Sequence, residues 1–247
     1  MHRLKSLAKS LMPMISANYV APENFRRILA QLFELSQNPR ILVIGCGEVG
    51  EGLHELIKHP KIQVVETDVA LGPRVSIVCD GHDLPFKSGS FDGVIVQAVL
   101  EHVVDPQRCV AEIKRCLKYG GLVYAETPFI QQVHGGRYDF VRYTLLGHRR
   151  LFREFEEIQS GMAGGPGMAL AWSLKYFLWS FVRSNLAREL IAGFVSLTCF
   201  WLKYCDRFLR NAPAAVDGAS ANYFLGRKID GHLSDRELIK QFRGAQT

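Results

Sequence analysis

The sequence is short of the features that define several protein classes. Its six cysteines, in 247 residues, form no C-x-x-C pair and no Cys/His spacing of the kind that holds a metal. No metal is therefore expected, and a small disulfide scaffold is excluded. The chain has no internal repeat and no low-complexity tract, which removes collagen-like and coiled-coil readings. Its longest-looking apolar helix, Leu190 to Leu202, runs 13 residues without a charge, short of the ~20 that span a bilayer. Basic excess is nearly missing from the middle of the chain. Of the net +6, residues 1–17 carry +3 (Arg3, Lys5, Lys9) and residues 168–210 carry +4, leaving −1 for the rest. A nucleic-acid binder spreads positive charge over its main fold, so no nucleic-acid partner is expected.

What remains is an ordinary globular composition, 48% hydrophobic and 22% charged, long enough to bury a sizeable core. Several cysteines (46, 79, 109, 116, 199 and 205) fall in apolar runs, where the residue acts as a small hydrophobe; they read as reduced thiols of a cytoplasmic protein. The first 20 residues have a basic start and a short apolar stretch broken by Pro13, a poor secretory signal. They fit a frayed terminus or an amphipathic surface anchor.

Hydrophobic periodicity predicts a helix over 22–36, with Phe25, Ile28, Leu29, Leu32 and Phe33 on one face. Ile41 to Ile44 reads as a strand buried on both sides. Further strands are expected at 62–67, 75–79, 93–97 and 122–126, with a helix that Asp105 caps, Pro106 starts and Gly120 ends. A polar and aromatic loop (128–144), a helix (145–153) and a strand (155–159) follow. The glycines of 161–167 mark a break, residues 168–210 are apolar and helical, and Ala221 to Lys228 is a last strand. Alternating strands and helices predict an α/β fold: a Rossmann-like, doubly wound, mostly parallel sheet with an apolar helical insertion before the last strand. The expected divisions are an N-terminal helical segment (1–39), a core (40–160), the insertion (161–212), and a final strand with tail (213–247).

Gly45-Cys46-Gly47-Glu48-Val49-Gly50 lies between a strand and a helix, where glycines let a ligand press on the backbone and free N–H groups face it. The string G-x-G-x-x-G alone is a weak signal. An acid at the end of the second strand should accept from ribose hydroxyls; Asp68 is preferred and Glu66 is the fallback. To this point a nicotinamide dinucleotide and S-adenosylmethionine fit equally.

The following strings separate them. Asp80-Gly81-His82-Asp83-Leu84-Pro85-Phe86, Phe91-Asp92-Gly93-Val94, Leu100-Glu101-His102-Val103 and Arg115-Cys116-Leu117-Lys118-Tyr119-Gly120-Gly121, together with the glycine loop, resemble the class I S-adenosylmethionine-dependent methyltransferases, especially the type 11 group. Tyr119 stands where that group commonly has proline. The resemblance implies an S-adenosyl-L-methionine site in which the backbone of Gly45, Cys46 and Gly47 approaches the methionine part. Asp68 would hold the ribose, Asp80 the adenine amino group with Gly81 and His82 beside the ring, and Gln97 would face the sulfonium.

An oxygen acceptor must lose a proton, and His102 and His134 are the candidate bases. His102, in the LEHV string common to the family, suits a structural role as well. The segment 133–144 (VHGGRYDFVRYT) also resembles a stretch of bacterial methyltransferases of surface-glycan and lipid pathways. It makes His134 and Asp139 catalytic candidates and Arg142 and Tyr143 substrate contacts; the alternative is an Asp–Arg pair that only orders a lid. Trp172, Trp179 and Trp201, with flanking Arg and Lys, suit a lipid–water boundary, and the alternative is a helical cap on the pocket. The expectation is O-methylation of a glycolipid, lipid-linked saccharide or other amphipathic acceptor by a cytoplasmic protein at the inner membrane face. A soluble small-molecule methyltransferase, a non-catalytic S-adenosylmethionine-binding protein and an NAD oxidoreductase are the alternatives.

Overall fold

The computed structural model describes residues 12–47 and 50–245. The basic N-terminal stretch read as a terminus or anchor, through residue 11, lies outside the described residues, as do Glu48 and Val49 of the glycine loop.

The chain enters through α1 (Ala21–Leu35), whose Phe25, Ile28 and Leu32 are buried. It then alternates: β1 (Arg40–Ile44), α2 (Leu53–Ile57), β2 (Gln63–Asp68), β3 (Ile77–Val78), β4 (Phe91–Gln97), α3 (Pro106–Cys116), β5 (Leu117–Pro128), α4 (Leu145–Leu151) and β6 (Phe155–Gly164). Four helices follow, α5 (Pro166–Trp179), α6 (Asn185–Cys199), α7 (Leu202–Leu209) and α8 (Pro213–Asp217), before β7 (Ala221–Lys228) and α9 (Asp235–Ile239).

The sheet has seven strands in the order β3-β2-β1-β4-β5-β7-β6. Strands β1 to β5 pair in parallel, and β7 runs antiparallel between β5 and β6. Both faces are covered, which is why β1 and β4 are buried along nearly their whole length and carry the apolar runs Ile41–Ile44 and Val94–Val96. One face packs Phe91, Val94, Ile113 and Phe152; the other packs Phe25, Ile28, Ile41 and Tyr124. The chain leaves β1 toward β2 on one side and returns to β4 on the other. That reversal opens a crevice at the carboxyl ends of the strands. The expected fold class and the insertion before the last strand are both present.

Three local expectations need correction. The third strand is only Ile77–Val78: it is the sheet's edge, and both residues are exposed. Helix α3 ends at Cys116 rather than at Gly120, because Leu117 already pairs with Phe91; a register shift then leads into the second paired stretch, from Leu122. The glycines at 161–164 do not break the chain. They stay in β6, with Gly161 opposite Tyr223 and Gly164 opposite Ala221, because β7 supplies ladder partners.

The insertion is tied down by one buried acid. Asp206 on α7 accepts from the N–H of Gly167 (2.7 Å) and of Met168 (3.0 Å), so it caps the start of α5 from another helix. A Cβ at Gly167 would come within 2.4 Å of the Leu202 carbonyl oxygen, so only glycine permits this approach of the two helices.

His148, on α4, is buried among Phe152, Phe224 and Tyr143, and neither ring nitrogen has a partner. Burial pushes its pKa down to about 3. An unfolded imidazole titrates near ~6.5, so the unfolded chain binds the extra proton first. Stability is full above that pH and falls as pH drops toward the folded value, by about 2 kcal/mol between roughly pH 7 and 5. Denaturant titrations at those two pH values should show this loss, and it should shrink in His148→Phe. An equal loss in the variant would place its origin elsewhere.

Candidate active site

A cavity of about 960 Å³ occupies the crevice at the strand ends. Its walls include Gly45, Gly47, Asp68, Asp80, Gly81 and Gln97 at one end and His102, His134 and Met168 among the others. Most of the sequence-derived site residues therefore share one cavity.

The glycine loop is held by β2. The Thr67 carbonyl accepts from both the Gly45 N–H (2.8 Å) and the Cys46 N–H (3.1 Å). The neighbouring Asp68 accepts from the Gly47 N–H at 3.0 Å and from Ala70 N–H at 3.0 Å. Gly45 sits at φ +74°, and a Cβ there would meet Val99 Cγ2 at 2.2 Å. Cys46 differs from its neighbours: its side chain is buried in the core, so only its backbone can serve a ligand. Glu66, the fallback acid, is committed to an ion pair with Arg74, which leaves Asp68 as the acid of the crevice.

Asp80 leaves β3 with its side chain 64% exposed. Its Oδ1 accepts from the His82 N–H (2.9 Å) and pairs with His82 Nδ1 at 2.6 Å. His82 Nε2 in turn accepts from Asp105 N–H at 3.1 Å, so the ring hydrogen is on Nδ1 and points at Asp80. The backbone N–H of His82, then its ring, hold the Asp80 carboxyl below its ordinary range. His82 thus orients the acid and is not itself among the cavity residues. Cys109 and Val103 give this end of the cavity apolar walls suited to a flat base. Burial pushes the Cys109 thiol up to about 12, consistent with a packing role. All six cysteines are free.

At the end of β4, Gln97 lines the cavity and donates through Nε2 to the Glu51 carbonyl at 3.4 Å. Ala98, next to it, has φ +52°, the one positive φ of a non-glycine residue among the described residues. Such strain persists where the surroundings over-determine it, and it collects at functional sites. The glycine backbone, the two acids at adjacent strand ends and the cavity volume fit an adenosyl sulfonium donor.

The 133–144 loop separates into two parts. Asp139 is paired bidentately with Arg142 and accepts from the His134 N–H at 2.8 Å. That arginine holds the Asp139 carboxyl well below its usual range. Arg142 also donates to the carbonyls of Gln131 (3.0 Å) and Gln132 (3.2 Å). Asp139, Arg142 and Tyr143 are not cavity residues. Asp139 and Arg142 knit the loop together, and Tyr143 stacks on His148. These contacts correspond to the alternative of a pair that orders a lid.

His134, by contrast, faces the cavity with His102; their rings meet edge to face at 4.9 Å. His102 Nδ1 donates to the Tyr138 carbonyl at 2.8 Å and His134 Nδ1 to the Gln132 carbonyl at 3.3 Å. Below them is Glu101, fully buried, with Oε1 3.7 Å from His134 Nε2 and 3.9 Å from His102 Nε2. Glu101 raises the His134 pKa above the ordinary imidazole value.

Sequence reasoning missed three acids at the cavity: Glu51 and Glu126 in its wall and Glu101 beneath the histidines. Glu101 carries no signal of its own, because only the fold carries it beneath His134. Glu126 lines the cavity at the end of β5, hydrogen-bonded by Asn18 Nδ2 at 2.8 Å and by Tyr124. Its place at a strand's carboxyl end is the signal that could have found it, as it found Gln97.

An open, mostly parallel sheet with this crevice defines a Rossmann-like methyltransferase fold. Residues 42–125 match the family model of the type 11 methyltransferase domain. Solved structures with the same fold include a Galdieria sulphuraria protein described as a sarcosine dimethylglycine methyltransferase (16% identity, 85% of each chain, TM-score 0.55). A Haemonchus contortus phosphoethanolamine N-methyltransferase 2, complexed with phosphomonomethylethanolamine and S-adenosylhomocysteine, is 18% identical over 87% of this chain and 55% of that one (TM-score 0.51). Among curated proteins, an uncharacterized Methanocaldococcus jannaschii protein is 43% identical over 47 residues, 19% of this chain and 23% of that protein. An uncharacterized 37.1 kDa protein of a Streptomyces fradiae transposon is 28% identical over 123 residues, 44% and 35% respectively. The matches thus span a third or so, or less, of those relatives. Residues 42–125, about a third of the chain, thus match the type 11 methyltransferase domain, and the solved structures share its class I methyltransferase fold.

Asp68→Ala and Asp80→Ala should each weaken S-adenosylhomocysteine binding by ~1–3 kcal/mol, the cost of losing a hydrogen-bond partner that the bound nucleoside would cover. Calorimetric titration measures this; unchanged affinity in both variants would remove the assignment.

Proposed function

We propose that the protein transfers the methyl group of S-adenosylmethionine to an oxygen of an amphipathic acceptor, a glycolipid or lipid-linked saccharide, at the cytoplasmic surface of a membrane. The carrying observation is the junction between the histidine end of the cavity and the apolar helices. On α5, Ser173 accepts from Gln132 Nε2 at 3.1 Å, and Tyr176 donates to the Val133 carbonyl at 3.1 Å. The loop that bears His134 is thus pinned by the helix that borders the cavity through Met168.

That helical unit leaves large side chains uncovered: Phe177, Phe181, Leu190, Phe194 and Phe208 are all exposed. This many exposed large apolar side chains on one helical unit supports contact with a lipid phase, and Arg183, Arg188 and Arg207 supply positive charge for an anionic headgroup layer. Among the described residues no helix is long and apolar enough to cross a membrane, so the reading is of a surface element.

The donor brings a methyl group already activated by the positive sulfur. The residues of this chain align the acceptor, exclude water and accept its proton. Asp68 and Asp80 fix the nucleoside, Gln97 faces the reacting centre, and the two histidines with Glu101 beneath them act on the acceptor hydroxyl. Asp139 and Arg142 position His134 through the loop backbone.

His134→Ala should lower turnover on membrane lipid extracts by ~10²–10⁴-fold, the usual worth of acid–base help, with donor affinity nearly unchanged. Equal turnover would make His134 a bystander. In cells, the full chain should sediment with membranes, and deleting 168–210 should release it; a soluble full chain would favour a small-molecule acceptor with the helices as a lid. Mass spectrometry of extracts with and without the protein identifies the acceptor by one added methyl group.

A further inference from the structure

We propose that Glu101, His102 and His134 together bind one divalent transition-metal ion at the acceptor end of the cavity. Glu101 is 0% exposed, and neither carboxylate oxygen has a hydrogen-bond partner. A bare buried carboxylate is costly to keep unless a positive partner reaches it. The two imidazole Nε2 atoms, at 3.7 and 3.9 Å from Oε1, are too far to bond it directly.

The tautomers sharpen the point. Each Nδ1 faces a backbone carbonyl, Tyr138 O for His102 and Gln132 O for His134, and a carbonyl can only accept. Each Nδ1 therefore carries a hydrogen, and in the neutral rings each Nε2 presents a lone pair. Two lone pairs and a carboxylate then converge, with all three ligand atoms within 4.8 Å of one another. Three Lewis bases facing one another need an electron-poor centre between them. Imidazole ligands of a metal characteristically donate their other N–H to a carbonyl or carboxylate, as both of these do.

Mixed imidazole and carboxylate donors suit Zn²⁺, Fe²⁺ or Co²⁺ rather than Mg²⁺ or Ca²⁺. With bonds of ~2.0–2.2 Å, tetrahedral ligand atoms lie about 3.4 Å apart, so the trio closes by a few tenths of an ångström and at most about 1.4 Å. The loop carrying His134 supplies that movement. Asp139 is not a ligand, since Arg142 engages it; its part is to hold the His134 backbone. Sequence spacing gave no sign of this site, because 31 residues separate His102 from His134.

Three protein ligands leave an open position toward the cavity, which His102 and His134 line. An acceptor hydroxyl bound there loses its proton to water at lower pH. The oxygen then bonds to the methyl carbon as the carbon–sulfur bond breaks, and that electron pair returns to sulfur. This catalytic use rests on the oxygen-acceptor reading above; the site itself does not.

The test is titration of the chelator-treated full-length protein with CoCl2, followed by visible d–d absorbance. One equivalent should bind, and Glu101→Gln and His134→Ala should each weaken it by at least about 10–100-fold. S-adenosylhomocysteine affinity should stay near wild type, which reports a folded cofactor crevice. Should Glu101→Gln fail to fold, His134→Ala, on the loop, carries the test alone. No saturable cobalt binding, or binding that survives in His134→Ala, overturns the proposal and leaves a shared proton as the occupant. Methyl transfer to oxygen without any bound ion would sink the ion's catalytic use and spare the acceptor reading. A bound ion with methylation only at nitrogen or carbon would do the reverse.

Discussion

Everything in the site depends on how the end of β2 grips the turn after β1. One carbonyl, that of Thr67, receives two successive N–H groups of the glycine loop, and the next residue, Asp68, receives a third. Thr67 is itself anchored, since its buried hydroxyl donates to the Val43 carbonyl at 3.1 Å. The loop is therefore fastened to both strands of the β1–β2 pair. Buried backbone groups that are this fully satisfied do not drift. The consequence is a bare stretch of main chain, held open beside a carboxylate, at the point where the strand order reverses.

From that point the crevice is built outward by short, local devices. His82 fixes Asp80 through a chain of hydrogen bonds that ends at the Asp105 N–H, so the start of α3 and the acid after β3 are one unit. On the other side, α5 is clamped to α7 by Asp206 and to the His134 loop by Ser173 and Tyr176. The apolar helices are thus tied to the cavity through the His134 loop and through Met14 and Ile15, which pack on them.

The crevice beside the glycine loop was legible in the sequence because its signals are local. A glycine loop after an apolar strand, an acid at the next strand's end and an Asp-x-x-x-Leu-Pro-Phe string each lie within a few residues. The acceptor half was only partly legible. His134 was visible as a histidine in a polar loop, but Arg142 and Tyr143 looked like substrate contacts when their partners are Asp139 and His148. Glu101 was hidden inside a motif read as structural, and its meaning comes from a residue brought over it by a long loop. Strand ends were misjudged where tertiary pairing overrode local propensity: β7 kept the glycines of 161–164 extended, and the edge position cut β3 to two residues.

The most direct measurement of the central claim is a crystal structure of the protein with S-adenosylhomocysteine. The account predicts the adenosyl group between Asp68 and Asp80, with the amino-acid end against the backbone of Gly45 to Gly47. A nucleoside bound elsewhere, or a crevice left empty at saturating ligand, would contradict it.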